Sequence, residues 1–284
     1  MADQKKGGGI TWTEVTWNPI RGCSRVSAGC KNCYAERTAG RFSGEGQPYH
    51  GLAVVRDGES TWTGEVAFIE KHLMDPLRWE RPRLVFVNSM SDLFHEKLSL
   101  EKHIAPIFAV MAMSPQHTFQ VLTKRAERMR EVLAGDEIKS LVKDWVDILL
   151  NEPTRSDNRA GMEIRWPLPN VWAGVSIEDQ STADARLHEL YATPAAVRWA
   201  SAEPLLGEII LPPVFPVDWL VVGGESQSGA RHMDLSWARR LVEQCGMRDT
   251  RVFVKQLGGY PDARKVMAKF PPDLQVQEYP EARS

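Results

Sequence analysis

Val171-Trp-Ala-Gly-Val175 runs straight into the polar segment Ser176-Ile-Glu-Asp179. A helix-like stretch from Ser181 to Leu190 follows, and then Val197-Arg-Trp-Ala200 ends in Ser201-Ala-Glu203. Short apolar runs bounded by turn residues read as strands, and a helical crossover between two of them makes the pair parallel. The same unit recurs outward in both directions. Leu84-Val-Phe-Val87 precedes Asn88-Ser-Met-Ser-Asp92, Phe119-Gln-Val-Leu122 precedes Thr123-Lys-Arg125, Trp219-Leu-Val-Val222 precedes Gly223-Gly-Glu-Ser226, and Val252-Phe-Val254 precedes Lys255-Gln256. Glu101 to Met113 places Ile104, Ile107, Phe108 and Met111 on one helical face, and Ser236 to Cys245 forms a shorter helix. With Ile10 to Pro19 as a first strand, seven candidates predict an α/β fold: a parallel sheet curled into a partial or complete (β/α) barrel of the TIM type. All the polar strand ends then share one face, the face on which such barrels build active sites. Ser and Asp at helix N-caps explain any single one of these segments equally well. Six coincident rims favour a common site.

The chain has 284 residues, is 43% hydrophobic and carries a formal net charge of -2. That is enough for a substantial core, and the near-neutral balance excludes a global positive field, so any nucleic-acid contact must come from a local patch. No apolar run is long enough to span a membrane and the N-terminus lacks a signal-peptide core, which predicts a cytoplasmic protein. Residues 1–9, rich in Gly and Lys, read as disordered, residues 10–260 as one barrel domain and residues 261–284 as a loosely packed tail. Lys31 to Phe42 reads as a helix and Ala67 to Trp79 as an amphipathic segment. The stretch 136–170 interrupts the rhythm: Ile138 to Leu150 looks helical, and the polar loop after it, with Arg155, Arg159 and Arg165, reads as an insertion.

Three of the four cysteines fall within Cys23-Ser-Arg-Val-Ser-Ala-Gly-Cys30-Lys-Asn-Cys33-Tyr-Ala-Glu36, directly after the first strand. Thiolates are strong ligands for iron and zinc, and Cys30 and Cys33 at a helix start can turn onto one ion or cluster. Structural zinc normally takes four protein ligands, and no fourth cysteine is near; His50 is the closest histidine. A cubane cluster held by three cysteines keeps one iron open. Cys245 falls on one helix face with Trp237 and Leu241 and reads as a buried structural thiol.

The C-x6-C-x2-C spacing resembles the cluster loop of the radical S-adenosylmethionine (SAM) superfamily, whose usual spacing is three residues shorter. Together with Phe86-Val-Asn-Ser-Met-Ser-Asp-Leu-Phe94-His95, Leu122-Thr-Lys-Arg125, Gly174-Val-Ser-Ile-Glu178, Ser201-Ala-Glu-Pro-Leu-Leu206, Gly223-Gly-Glu-Ser226 and Phe253-Val-Lys-Gln256, it is similar to an uncharacterised phage and bacterial three-cysteine family grouped with radical SAM proteins. Its cysteine loop resembles that of spore photoproduct lyase, a DNA-repair enzyme. The resemblance implies a [4Fe-4S] cluster on Cys23, Cys30 and Cys33 and SAM as cofactor, but it supplies no substrate. Such chemistry needs an electron donor such as flavodoxin or ferredoxin, and a nucleic acid or nucleotide is the substrate class we expect. By position, Ser89, Ser91 and Asp92 are the candidates for the methionine ammonium, and Ser176 and Glu178 for the ribose hydroxyls or carboxylate. The later rim residues Glu203, Gly223, Gly224 and Glu225 join the cofactor set. Lys124, Arg125, Lys255 and Gln256 are the candidates for an anionic substrate. His95 and His103 read as cap or surface residues, and Trp62 and Trp166, placed in loops, as possible stacking partners for a base. The alternative is a non-catalytic barrel, stabilised by zinc or a cluster, that binds nucleic acid or a partner protein.

Overall fold

A computed structural model describes residues 10–151, 163–214, 217–259 and 263–281. The expected disorder of residues 1–9 and the arginines at 155 and 159 lie outside the described residues. The seven strands are β1 (Val15–Trp17), β2 (Leu84–Val87), β3 (Thr118–Thr123), β4 (Val171–Ser176), β5 (Val197–Ala202), β6 (Trp219–Gly223) and β7 (Arg251–Gln256). They pair in sequence order, every pair parallel, as a curled half-barrel. Helices α1 (Tyr34–Arg41), α2 (Ala105–Ala112), α3 (Ala126–Ala134), α4 (Asp136–Leu150), α5 (Gln180–Ala192) and α6 (Leu235–Gly246) supply most of the connections. Among the described residues no helix is long and apolar enough to cross a membrane.

Strand alternation divides the core into two layers. Val85, Val87, Val121, Ala173, Val175, Ala200, Leu220, Val222 and Val254 point toward the helices and join the main core. Phe86, Trp172, Trp199, Trp219, Val221 and Phe253 point into the half-barrel. Trp12 closes that inner layer, with ring centroids 4.7 Å from Phe86, 5.1 Å from Trp199 and 5.9 Å from Trp219. A Cβ on Gly174 would lie 2.4 Å from the Trp199 ring, so only glycine lets that indole lie across β4. The floor of the half-barrel is therefore filled by side chains, with buried Gln120 among the rings.

Several elements differ from the sequence expectations. The first strand is only Val15–Trp17, because Trp12 leaves the sheet to plug the floor. Helix α1 begins at Tyr34 rather than Lys31, since Cys33 is held extended as its N-cap. The segment from Ala67 splits into a two-residue strand paired with Ile20–Arg21, a helical turn Glu70–Leu73 and a 3-10 turn Asp75–Arg78, the last carrying Pro76. The helix expected from Glu101 opens as a π turn at Leu100–Ile104 and becomes α-helical only in α2, where Pro106 in the first turn lacks an amide donor.

A hairpin, Ala53–Arg56 with Glu59–Trp62, was not anticipated, although its Asp57-Gly58 turn, both residues at positive φ, is the strongest short hairpin signal in the chain. The stretch after residue 136 is not simply an insertion. α4 packs on α2 and buries Ile138, Val142, Val146 and Leu149 in the main core. The tail is not loose either. Phe270 and Leu274 are buried, the amide of Val254 donates to Val276 O, that of Glu278 to Val252 O, and Tyr279 stacks on Trp219. This run covers the outer edge of β7, which would otherwise present unpaired backbone groups.

Candidate functional site

The cysteine loop enters the mouth through a position that only glycine tolerates. Gly22 has φ +88°, and a Cβ there would sit 2.2 Å from Glu65 O. Cys23 follows; Cys30 ends a 3-10 turn, Ala28–Cys30; Cys33 caps α1. Cys23 and Cys33 both pack against a small apolar cluster of Ala35, Ala39, Ala53, Trp62 and Met90 between α1 and the hairpin.

Three charged clamps hold this loop on the strand ends. In the first, Glu178, fully buried, accepts through Oε1 from Ser27 Oγ at 2.9 Å, Lys124 Nζ at 2.8 Å and Arg186 Nη1 at 3.1 Å. A Cβ on Gly29 would lie 2.5 Å from the Glu178 carboxyl, so the loop can lie on it only as glycine. Burial opposes ionisation of Glu178, but the Lys124 and Arg186 charges outweigh it and hold the carboxyl below the usual range. Its Oε2 is buried without a protein partner.

In the second clamp, Glu225 accepts from Asn32 Nδ2 at 2.8 Å and from the Arg231 amide at 2.8 Å, while Arg231 Nη1 donates to Ala28 O at 2.9 Å. In the third, Arg125 donates to Ser24 Oγ at 2.7 Å, Asp92 Oδ2 at 3.1 Å and Glu96 Oε1 at 2.7 Å, and its Nη1 lies 4.0 Å from Cys23 Sγ. His95 Nε2 shares Ser24 Oγ at 3.0 Å. On the hairpin side, Arg25 pairs with buried Glu36, which accepts from the Trp62 amide at 2.7 Å.

These contacts redistribute the expected roles. Asp92 accepts from the Phe94 amide, Thr123 Oγ1, the Lys124 amide and Arg125, so its lone pairs are filled by the protein, and it positions neighbours rather than facing a ligand. Ser89 Oγ donates to Asn18 and Ser91 Oγ to Ile20 O, tying β1 and the strand after it to the β2 rim. Lys124 and Arg125 are engaged internally and are not free for phosphates. Lys255 Nζ lies 2.5 Å from Glu203 Oε1, which Gln256 Nε2 also reaches at 3.2 Å. Gly223 and Gly224 serve close packing: a Cβ on Gly224 would lie 2.5 Å from Gly258 Cα. Ser176, buried, accepts from Lys124 Nζ at 2.5 Å and donates to Glu203 O at 3.3 Å. Ser176, Glu178, Glu203 and Lys255 thus form one connected polar layer above the Trp floor.

His95, buried at 2% exposure, accepts through Nδ1 from the Lys97 amide at 3.2 Å, and His103 Nδ1 accepts from the Ser99 amide at 2.9 Å, so both act as local caps. Trp62 is buried, and Trp166 is half-buried against the main core with its ring 5.8 Å from Phe108 and its Nε1 donating to Leu133 O at 3.1 Å, so neither is a loop side chain standing free for a base. Cys245 is fully buried, as expected. Ser24, Ser27, Asn32, Arg186 and Arg231 were missed. Of these only Arg186 leaves a sequence trace: a cation on the same face of α5 as Ala183, Leu187 and Leu190. An open cleft of about 760 Å³ between α3 and α5 lies behind the rim, lined by Lys124, Arg128 and Arg186 but also by Glu131, Asp184 and Glu189, a mixture that selects no single ligand class.

The donor set suits a soft metal group with three thiol ligands. Burial first, then the Asp92 charge, push the Cys23 thiol up to about 12 against the opposing pull of Arg125, and burial raises Cys33, so ligation by either releases a proton. Among the described residues, no group of three or more His, Cys, Asp and Glu side chains is drawn close enough to hold a single metal ion. The orphaned Glu178 Oε2 adds an acceptor for a donor-bearing ligand at the same mouth. No curated protein and no solved structure matches this chain. A family described as a protein of unknown function (DUF5131) matches residues 7–279, and the chain belongs to it.

Proposed function

We propose that this protein is a radical SAM enzyme in which Cys23, Cys30 and Cys33 hold a [4Fe-4S] cluster and leave one iron open for SAM. The observation that supports it is the donor set: three thiols on one clamped loop at the mouth of an all-parallel half-barrel, with the fourth cysteine buried in the core. A cluster held by Cys23, Cys30 and Cys33 would supply one-electron reductive cleavage of SAM, giving the oxidising power for removal of a hydrogen atom from substrate. This chain's residues bind, orient and exclude water. The Trp floor closes the site from below, the three clamps fix the loop, and Glu178 Oε2 is the acceptor left for a hydroxyl or ammonium of the cofactor. Ser176, Glu203 and Lys255 line the remaining mouth. A flavodoxin or ferredoxin is the fitting electron donor.

Anaerobic reconstitution tests this directly. The protein takes up about four irons with sulfide and, after reduction, releases 5′-deoxyadenosine from SAM. Cys23→Ala, Cys30→Ala and Cys33→Ala each lose the cluster, while Cys245→Ala keeps it. Stoichiometric zinc with no cluster after reconstitution overturns the proposal in favour of a zinc-stabilised, non-catalytic barrel.

A further inference from the structure

The segment from Ile20 to Gly44 carries five cations, Arg21, Arg25, Lys31, Arg37 and Arg41, against one carboxylate, Glu36. That local charge of +4 sits in a chain of -2, so the rest of the molecule carries -6. The single carboxylate is buried and paired with Arg25. Among the described residues the other four cations have no acidic partner, and Lys31 lies within the cysteine loop itself.

Their placement follows from α1. Its buried face is Ala35, Glu36 and Ala39, packed on the hairpin. At 3.6 residues per turn the opposite face carries Tyr34, Arg37 and Arg41, with Lys31 in the turn just before the helix. Lys31 and Arg41 are exposed, Tyr34 and Phe42 are each 47% exposed, and Tyr34 is held in place by its hydroxyl, which donates to Ser89 O at 2.6 Å. Arg37 is braced by Ser228 O at 3.0 Å. From Tyr34 to Arg41 the helical part of the stripe spans roughly 10 Å at 1.5 Å per residue, with Lys31 extending it beyond the helix start. The stripe begins between Cys30 and Cys33.

We propose that this stripe binds single-stranded nucleic acid, its cations tracking the phosphates and Tyr34 stacking on a base at the edge of the mouth. Cations interleaved with rigid exposed aromatics are the recognition chemistry of unpaired strands, since every base offers a face to stack. Glu45, exposed, follows the stripe, but between Arg21 and Arg41 buried Glu36 is the one carboxylate against five cations, and this excess, in a chain otherwise negative, makes a polyanion the complementary partner. The phosphate contacts thus move from Lys124 and Arg125, which are locked in the clamps, to residues that face solvent. As a statement about substrate this rests on the radical SAM reading; as a statement about binding it does not.

The test is anisotropy of a labelled oligothymidylate over a range of salt, on both the metal-free and the reconstituted protein. Replacing Lys31 and Arg41 together by Ala should lower the slope of log affinity against log salt by about 1.4, at about 0.7 per single-strand phosphate contact, and weaken binding about tenfold. Tyr34→Leu should weaken it about fivefold or more, and Tyr34→Phe should restore it, because the ring is what stacks. Lys139→Ala with Arg240→Ala, on helices away from the mouth, should leave the slope unchanged. No binding by the native protein, an equal loss in the distant pair, or competition by polyglutamate as strong as by the oligonucleotide overturns the proposal. Binding that survives in a protein unable to load iron keeps this surface and removes the radical SAM reading. Iron loading with no binding does the reverse.

Discussion

The floor and the rim of the half-barrel are built by the same strands a few residues apart, yet they are held by opposite physics. On β5, Trp199 packs in the floor and Ser201 points the same way two residues later; on β4, Trp172 and Gly174 lie under Ser176. Below, five large rings pack together, four of their contacts edge to face and that of Trp199 with Trp219 tilted. Above, nearly every charge is paired with another, and the pairs join the cysteine loop to strand ends far away in sequence. A rim that looks like a ligand shell in sequence is in large part the fastening of one loop. What remains for a ligand is what the fastening leaves over.

The largest effect expected from breaking this contrast is in the floor. Trp199→Ala removes a fully buried indole in contact with Trp12 and Trp219 and abandons its hydrogen bond to Val121 O, and it should cost about 3–5 kcal/mol in denaturant unfolding. A cost under about 1 kcal/mol would show that the floor collapses and is not the rigid base described here.

Glu178→Gln probes the rim and should cost about 3 kcal/mol, the lower end for stripping one partner from a buried ion pair, since the amide still accepts from Ser27. The carboxyl's folded-state pKa lies below its ordinary value, so its contribution is fully present above that ordinary value, about 4.3, and is lost as pH falls through the depressed one. The stability gap between native and variant should therefore narrow below about pH 4. A gap constant down to about pH 3 would show that the fold does not lower the carboxyl's pKa.

The smallest effect is at the junction of the two layers. Gly174→Ala places a methyl group 2.4 Å from the Trp199 ring and should cost about 1–3 kcal/mol by overpacking. If floor and rim are mechanically coupled through β4, it should also reduce iron retention after reconstitution; undiminished iron would show that the layers act independently.

Alternation of apolar runs and helical segments was enough to read seven parallel strands and their order from the chain, because side-chain polarity with a period of two or 3.6 is a local property. The clustering of Cys23, Cys30 and Cys33 after the first strand, and the burial of Cys245, were legible for the same reason. The hairpin at 53–62 was equally legible through Asp57-Gly58 and was passed over. What only the tertiary structure decided is which rim residues are free. Asp92 stands where a ligand contact was expected, but Thr123, Lys124 and Arg125 converge on it from the next strand end. Glu178 is held by residues 27, 124 and 186, and Glu225 by residues 32 and 231. The tail's cover over β7 is decided the same way, by Val276 and Glu278 meeting Val254 and Val252. A hydrogen bond between groups so far apart along the chain has no local signature, because it depends on where the closing sheet brings two strand ends.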